Sequence, residues 1–335
     1  RALQQLFQLD ARRLASVVAA RASDAPWPAW DGFRPLASAP GDEAASTLKR
    51  ALAAAADWGA LLPDLAAYYA RAGTGLFARY RAFRWVRVGE RGHLEGIAHP
   101  DPVRLSDLVG YESERELLLR NTEQFLAGYP ANNVLLYGDR GTGKSSTIKA
   151  LLNAYGDRGL RLVEVAKAYL PDLPQLLALL RGRRERFILF VDDLSFHETE
   201  VEYKELKAVL EGGLEARPSN VLLYATSNRR HLVQESFADR TGAVDGELHG
   251  VDTMQEKLSL SDRFGITLTF LAPDQDRYLA IVRALAAQRG LAIAPEELQR
   301  RAIAWALRHR GRSGRTARQF VDYLTGELGL AATAS

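Results

Sequence analysis

The feature that most constrains this chain is eight residues long. Gly138-Asp-Arg-Gly-Thr-Gly-Lys144-Ser145 matches the spacing G-x-x-x-x-G-K-[ST] in full. The apolar run Val134–Tyr137 precedes it, and a helical stretch, Lys144–Tyr155, follows. Such a loop forms where a strand passes directly into a helix. Glycines let the backbone curl so that N–H groups face inward, and the helix N-terminus points at the same place. Phosphates fit there. Lys144 is expected at the β- and γ-phosphates and the Ser145 hydroxyl at Mg²⁺. Gly138, Arg140, Gly141, Thr142, Gly143 and Ser146 complete the expected phosphate-binding set.

A phosphate loop needs a carboxylate on the metal side. Arg186-Phe-Ile-Leu-Phe-Val191-Asp192-Asp193 supplies two at the end of an apolar strand, the edge of an α/β sheet where ligands bind. Asp192 is expected to hold Mg²⁺ through water and Asp193 to orient the attacking water. Asn133–Tyr137, Leu160–Ala166, Phe187–Val191, Val221–Thr226 and Ile266–Leu271 alternate with helical stretches. That rhythm predicts a five-stranded parallel sheet covered by helices.

The flanks are helical. Before the sheet, residues 1–95 read as an Ala-, Leu- and Arg-rich helical domain, with helices over Ala2–Ala20, Ala44–Leu62 and Leu65–Ala72. Trp27, Trp30, Tyr68, Tyr69 and Trp85 read as its core packing, with a partner surface as the alternative. Gly89–Asp101 reads as a linker. After the sheet, Pro273-Asp274, Pro295 and Arg315 open three helices. The expected organisation is therefore 1–95, a core over 100–271 and a helical lid over 272–335.

Composition removes several other chemistries. None of the 335 residues is cysteine, which excludes disulfides, thiolate catalysis and cysteine zinc sites. Six histidines without an H-x-x-x-H pair give no zinc motif. Residues 1–99 carry 13 basic and 9 acidic side chains, and residues 100–335 carry 31 and 32. Neither part has the charge of an electrostatic nucleic-acid binder. Arg181-Gly-Arg-Arg-Glu-Arg186 reads as a solvated turn, with phosphate contact as the alternative. No apolar run reaches the roughly 18 residues of a membrane span. The expectation is a cytoplasmic protein without membrane contact or signal peptide. The chain starts at Arg1 and its only methionine is Met254, so its natural start is expected to lie upstream.

Six segments in this order resemble the AAA+ ATPases. Besides the two phosphate-side motifs, Leu105-Ser-Asp-Leu-Val-Gly110 resembles the adenine-side segment. Tyr224-Ala-Thr-Ser-Asn228-Arg229 resembles the first sensor, and Leu258-Ser-Leu-Ser-Asp262-Arg263-Phe264-Gly265 the arginine-finger segment. Gly311-Arg-Ser-Gly-Arg315 resembles the second sensor. More narrowly, Phe187–Phe196, Ser227–Arg230 and Glu256–Gly265 resemble one uncharacterised bacterial family of predicted AAA+ ATPases.

The resemblance implies an α/β P-loop core with a helical lid, binding ATP and Mg²⁺. Val109 and Gly110 lie on the adenine side, Asn228 at the lytic water or γ-phosphate, and Arg315 at the phosphates, with Arg312 and Arg318 sharing that role. It also implies a homo-oligomer, a ring or open assembly such as a hexamer. Arg263 would reach a neighbour's γ-phosphate, with Arg229 the alternative finger. The expected function is ATP-driven remodelling of a protein or nucleoprotein client selected by residues 1–95. The alternatives are an initiator- or loader-like switch on DNA, or a nucleotide-dependent scaffold without turnover.

Three departures qualify this picture. Many AAA+ motors carry Glu where this chain has Asp193, one methylene shorter, so slow or stimulated hydrolysis is expected. Lys167-Ala-Tyr169-Leu170 stands where threading motors carry a pore loop, yet Pro171 and Pro174 follow, so Tyr169 is expected to pack instead. Phe237–Lys257 reads as a long solvated or client-contact loop rather than a metal site.

Overall fold

The computed structural model describes residues 43–89, 91–196, 201–211, 217–228, 261–309 and 311–333. The helix expected over Ala2–Ala20, Trp27 and Trp30, Arg229 and the loop Phe237–Lys257 lie outside the described residues. The chain divides into two compact units, residues 1–74 and 75–335.

In the first unit, α1 (Glu43–Ala54) and α2 (Leu62–Ala72) flank a 3₁₀ turn, Trp58–Leu61. One continuous helix through Leu62 was the sequence expectation. Asp57 interrupts it: its extended backbone caps the turn, and its carboxylate accepts from Gly59 N–H.

The second unit opens with a helical turn, α3 (Leu76–Arg79), and a hairpin of β1 (Ala82–Val88) and β2 (Arg91–Ile97). The sheet then builds through α4 (Glu112–Leu126), β3 (Val134–Gly138), α5 (Lys144–Tyr155), β4 (Leu160–Glu164) and α6 (Leu173–Leu180). It is completed by β5 (Arg186–Val191), α7 (Val201–Glu211), β6 (Val221–Ser227) and β7 (Ile266–Phe270). The lid comprises α8 (Gln275–Gln288), α9 (Pro295–Arg308) and α10 (Gly314–Thr333).

The described strands form one seven-stranded sheet in the order β2-β1-β4-β5-β6-β3-β7. This corrects the expected five-stranded parallel sheet. The five expected strands run parallel, β1 adds a sixth parallel to β4, and β2 pairs antiparallel at the edge. The reason lies in β2's glycines, which made this stretch read as a linker. A Cβ on Gly92 would stand 1.9 Å from the Trp85 ring, and one on Gly96 would stand 2.2 Å from the Tyr80 ring. The glycines make room for aromatic rings lying across the strand. Residues 75–97 therefore belong to the sheet unit.

Trp85 and Arg87 also fasten the hairpin to the segment after β4. Buried Asp172 accepts from Trp85 Nε1 at 3.0 Å and from Arg87 Nε at 3.1 Å. Burial works to raise the Asp172 carboxyl, but these two partners outweigh it and hold it below the usual carboxylate range. The segment is a 3₁₀ helix, Lys167–Asp172, in which Leu170 is buried and Tyr169 packs on the same core. Tyr169 is thus a packing residue.

The central strands are apolar over Phe187–Val191 and Val221–Ala225 because both faces are covered. One face packs Phe83, Trp85, Phe187, Leu189 and Val191 beneath α6 and α7. The other packs Leu136, Ile148, Leu151, Phe190 and Tyr224 beneath α4 and α5. The lid has its own core around Tyr278, Val282, Phe320 and Leu324. Asp274 caps α8 by accepting from Arg277 N–H. Among the described residues no helix is long and apolar enough to cross a membrane.

Candidate nucleotide site

At the carboxyl ends of β3, β5 and β6 the chain encloses a cleft of about 660 Å³ between the sheet and the lid. The loop after β3 forms its floor. Gly138 has φ +135°, and a Cβ there would stand 2.1 Å from the Phe270 carbonyl oxygen, so only glycine lets β3 run beside the end of β7. Asp139 then pins the turn. Its N–H donates to Phe270 O at 2.9 Å, and its carboxylate accepts from Ala272 N–H at 2.5 Å. Gly143, with φ +97°, hands the chain to α5, whose first turn faces the cleft.

Lys144 is largely buried here. Its ammonium donates to the carbonyls of Gly138 (2.8 Å) and Asp139 (2.6 Å) and to Asn228 Oδ1 (3.1 Å). Burial pushes its pKa down; Asp139, Asp193 and Asp192 oppose that shift, and Arg140 adds to it.

From Lys144 a hydrogen-bonded chain crosses the cleft. Asn228 donates through Nδ2 to Asp193 Oδ1 at 2.5 Å. The Asp193 N–H donates to Thr226 Oγ1 at 2.9 Å, and Thr226 donates through its hydroxyl to Asp192 Oδ1 at 2.5 Å. Ser145 donates to the same Asp192 oxygen at 2.6 Å. Asp193 has φ +52°, a left-handed conformation uncommon outside glycine, fixed by these contacts on both sides. Thr226 is the member that sequence reasoning missed. Its signal was present: it lies two residues before Asn228 on β6, hence on the same face.

The lid closes the other side. Arg315 N–H donates to Gly141 O at 3.1 Å, so the first turn of α10 docks on the phosphate loop itself. Arg315 and Arg318 line the cleft, as expected of Arg315 and its neighbour. Arg312 instead donates to Gln275 and does not line it. Leu108, Val109 and Tyr111 face Ile281 and Leu285 across an apolar end. Tyr111 is itself left-handed at φ +58°, packs on Phe270 and donates to the Leu271 carbonyl. Gly110 and Gly138 shape the cleft without lining it; the Gly110 N–H is already held by Glu112 Oε1 at 2.9 Å.

Arg263 lies elsewhere, at the amino end of β7. It pairs with Glu211 at 2.6 Å, and its buried Nε has no hydrogen-bond partner among the described residues. It does not line this chain's own cleft.

The donor set fits a nucleotide with its metal. Four cations (Arg140, Lys144, Arg315, Arg318) and three carboxylates (Asp107, Asp192, Asp193) line one cleft. Ser145 and Asp192 offer hard oxygens at one point. Among the described residues no cluster of three or more His, Asp or Glu side chains could hold a metal by itself. Mg²⁺ binds through one or two protein oxygens together with phosphates and water, which the Ser145 and Asp192 oxygens match.

A family model described as "Protein of unknown function (DUF815)" matches residues 78–328. No curated protein sequence matches the chain. Similar solved structures include a single-residue variant of Thermotoga maritima RuvB, 18% identical with a TM-score of 0.49, covering 69% of this chain and 67% of that one. The Thermotoga maritima RuvB Holliday junction branch migration motor is 18% identical over the same shares, with a TM-score of 0.45. The FIGL-1 AAA domain in complex with ADP is 19% identical, with a TM-score of 0.42, over 66% of this chain and 72% of that one. The fold itself is an α/β core with a glycine loop after β3, capped by a helical lid.

Proposed function

We propose that this chain, which belongs to the family described as "Protein of unknown function (DUF815)", is an ATP-binding AAA+ protein that hydrolyses ATP slowly or on stimulation. The observation that carries this reading is the unbroken chain of hydrogen bonds from Lys144 through Asn228, Asp193 and Thr226 to Asp192 and Ser145. An ammonium, two carboxylates and a serine hydroxyl meet in one cleft, which supports the roles of phosphate cation, water-orienting base and metal-side pair.

The division of labour follows from the chemistry. Lys144, backbone N–H groups of the loop and the start of α5 bind the triphosphate. The apolar end at Val109, Tyr111 and Ile281 receives the base. Ser145 and Asp192 would hold Mg²⁺, which would supply neutralisation of the phosphate charge. Asp193 accepts a proton from the attacking water, and Asn228 keeps that carboxylate aimed. Asp193 is shorter than glutamate, and its oxygen is already engaged by Asn228 Nδ2, which supports slow turnover. Arg315 and Arg318 link nucleotide occupancy to the position of the lid.

Further features belong to the same proposal. Arg263, absent from its own cleft, acts in a neighbour's within a homo-oligomer. Residues 1–74, the first unit, select a protein or nucleoprotein client, in the cytoplasm. Replacing Lys144 with Ala abolishes nucleotide binding measured with a fluorescent ATP analogue. Asp193→Asn preserves binding but blocks phosphate release. If Lys144→Ala binds ATP as the parent chain does, the site assignment fails.

A further inference from the structure

The opposite edge of the sheet carries a separate feature. Four segments enter β1, β4, β5 and β6 there: residues 77–81, 156–159, 181–186 and 217–220. Together they hold eight arginines and two carboxylates, Asp157 and Glu185, of which Glu185 is buried. The whole chain holds 44 basic and 41 acidic side chains, so this density is local.

The fold makes these segments one surface. Buried Arg161 donates to the carbonyls of Phe77 (3.0 Å) and Gly156 (3.1 Å). Asn220 donates to those of Leu180 (2.9 Å) and Arg183 (3.1 Å). Arg186 donates to Ser219 O at 3.1 Å. Arg79, Arg81, Arg158, Arg181 and Arg184 are exposed on the resulting rim. Arg81 pairs with Asp157 at 2.5 Å and Arg158 with Glu123 at 3.8 Å, both in solvent, where such pairs exchange readily for phosphate. Strands about 4.8 Å apart spread the rim over roughly 14 Å. Exposed Leu76 and Leu179 flank the four segments, and among the described residues no exposed large hydrophobic side chain falls within them. A protein interface needs an apolar centre, and membrane insertion needs apolar side chains. A rim of guanidinium groups without either matches a polyanion held by charge, and duplex DNA presents about one phosphate per 1.7 Å of axis.

We propose that the amino-terminal edge of the sheet, centred on Arg79, Arg81, Arg158, Arg181 and Arg184, binds the phosphate backbone of nucleic acid without reading its sequence. The rim lies at the opposite end of the strands from the nucleotide cleft. It does not depend on the ATP-site reading, and either can fail alone.

The test uses the full chain and fluorescein-labelled DNA of scrambled sequence, about 30 nucleotides long, single-stranded and duplex, read by fluorescence anisotropy. Contact with three or more phosphates weakens duplex binding at least about 40-fold, and single-strand binding at least about 20-fold, between roughly 50 and 200 mM salt. Arg181→Glu with Arg184→Glu raises Kd at least about tenfold at the lower salt and flattens the log–log slope by about 2. Arg181→Lys with Arg184→Lys retains binding. Thermal unfolding midpoints show whether each variant is folded; if charge reversal prevents folding, Arg181→Gln with Arg184→Gln replaces it, with a smaller loss expected. The proposal is overturned by absence of DNA binding at low salt, by a folded charge-reversed or Gln variant that binds like the parent, or by capture on phosphatidylserine vesicles without binding to either DNA.

Discussion

At the carboxyl ends of β3, β5 and β6, Ser145, Asp192, Asp193, Thr226 and Asn228 share one hydrogen-bonded cluster. At the amino ends of β1, β4, β5 and β6, arginines stand side by side and reach into solvent. The same parallel strands build both ends, so strand chemistry does not explain the contrast. Connection polarity does. A chain leaving a parallel strand meets a helix N-terminus with unpaired N–H groups, a place suited to anions. A chain entering one comes from a helix C-terminus with unpaired carbonyls, a place suited to cations. Arg183 shows this locally, its Nε donating to Leu179 O at 3.3 Å near the end of α6. The helix dipole accounts for a cation or so at each helix end. It does not account for eight arginines on four joined segments.

The largest expected effect belongs to Arg263, which lies at the amino end of β7 and is proposed to act in a neighbour's nucleotide cleft. Arg263→Ala is expected to lower phosphate release about 10³–10⁵-fold while single-subunit nucleotide affinity stays unchanged. Unchanged turnover would mean that the two edges work without each other. To reach a neighbour, Arg263 must leave Glu211, so the measurement is made at concentrations where the chain associates.

Next in size is Trp85→Ala. Trp85 is 1% exposed, covers Gly92 and bonds to Asp172, so its loss is expected to cost about 3–5 kcal/mol of stability in urea unfolding. Folded variant protein should keep nucleotide binding, because the hairpin lies four strands from β3. A fall in nucleotide affinity matching the loss of stability would tie the two regions together.

The smallest effect sharpens the carboxyl edge. Thr226→Val keeps the shape but removes the hydroxyl shared between Asp192 and Asp193. Turnover is expected to drop about tenfold, near 1.4 kcal/mol, with little change in ATP affinity. An equal loss in both would assign Thr226 to binding instead.

Much of the carboxyl edge was legible in the chain. The phosphate loop and Asp192-Asp193 are contiguous, and local spacing is enough to place them, whereas Asn228 was picked out by the family resemblance of its strand end. Thr226 was legible in principle, since a period of two puts it beside Asn228. The hairpin was not. Three glycines between residues 89 and 96 resemble a linker until Trp85 and Tyr80 are seen to occupy the space that Cβ atoms would need. The basic edge was legible only in part: Arg181–Arg186 stands out as a run, but Arg79, Arg81 and Arg158 are distant in sequence.

Local pattern along the chain is enough to set out a strand, a glycine loop and a helix, with carboxylates after a neighbouring strand. That information is local, carried by backbone freedom and hydrophobic period. Tertiary structure decided what long-range pairing alone can decide: that β1 and β2 extend the sheet to seven strands, that Arg318 rather than Arg312 enters the cleft, and that separated arginines share one edge. Those outcomes depend on which strands lie side by side, and side-chain chemistry along a chain does not specify adjacency until the core has packed.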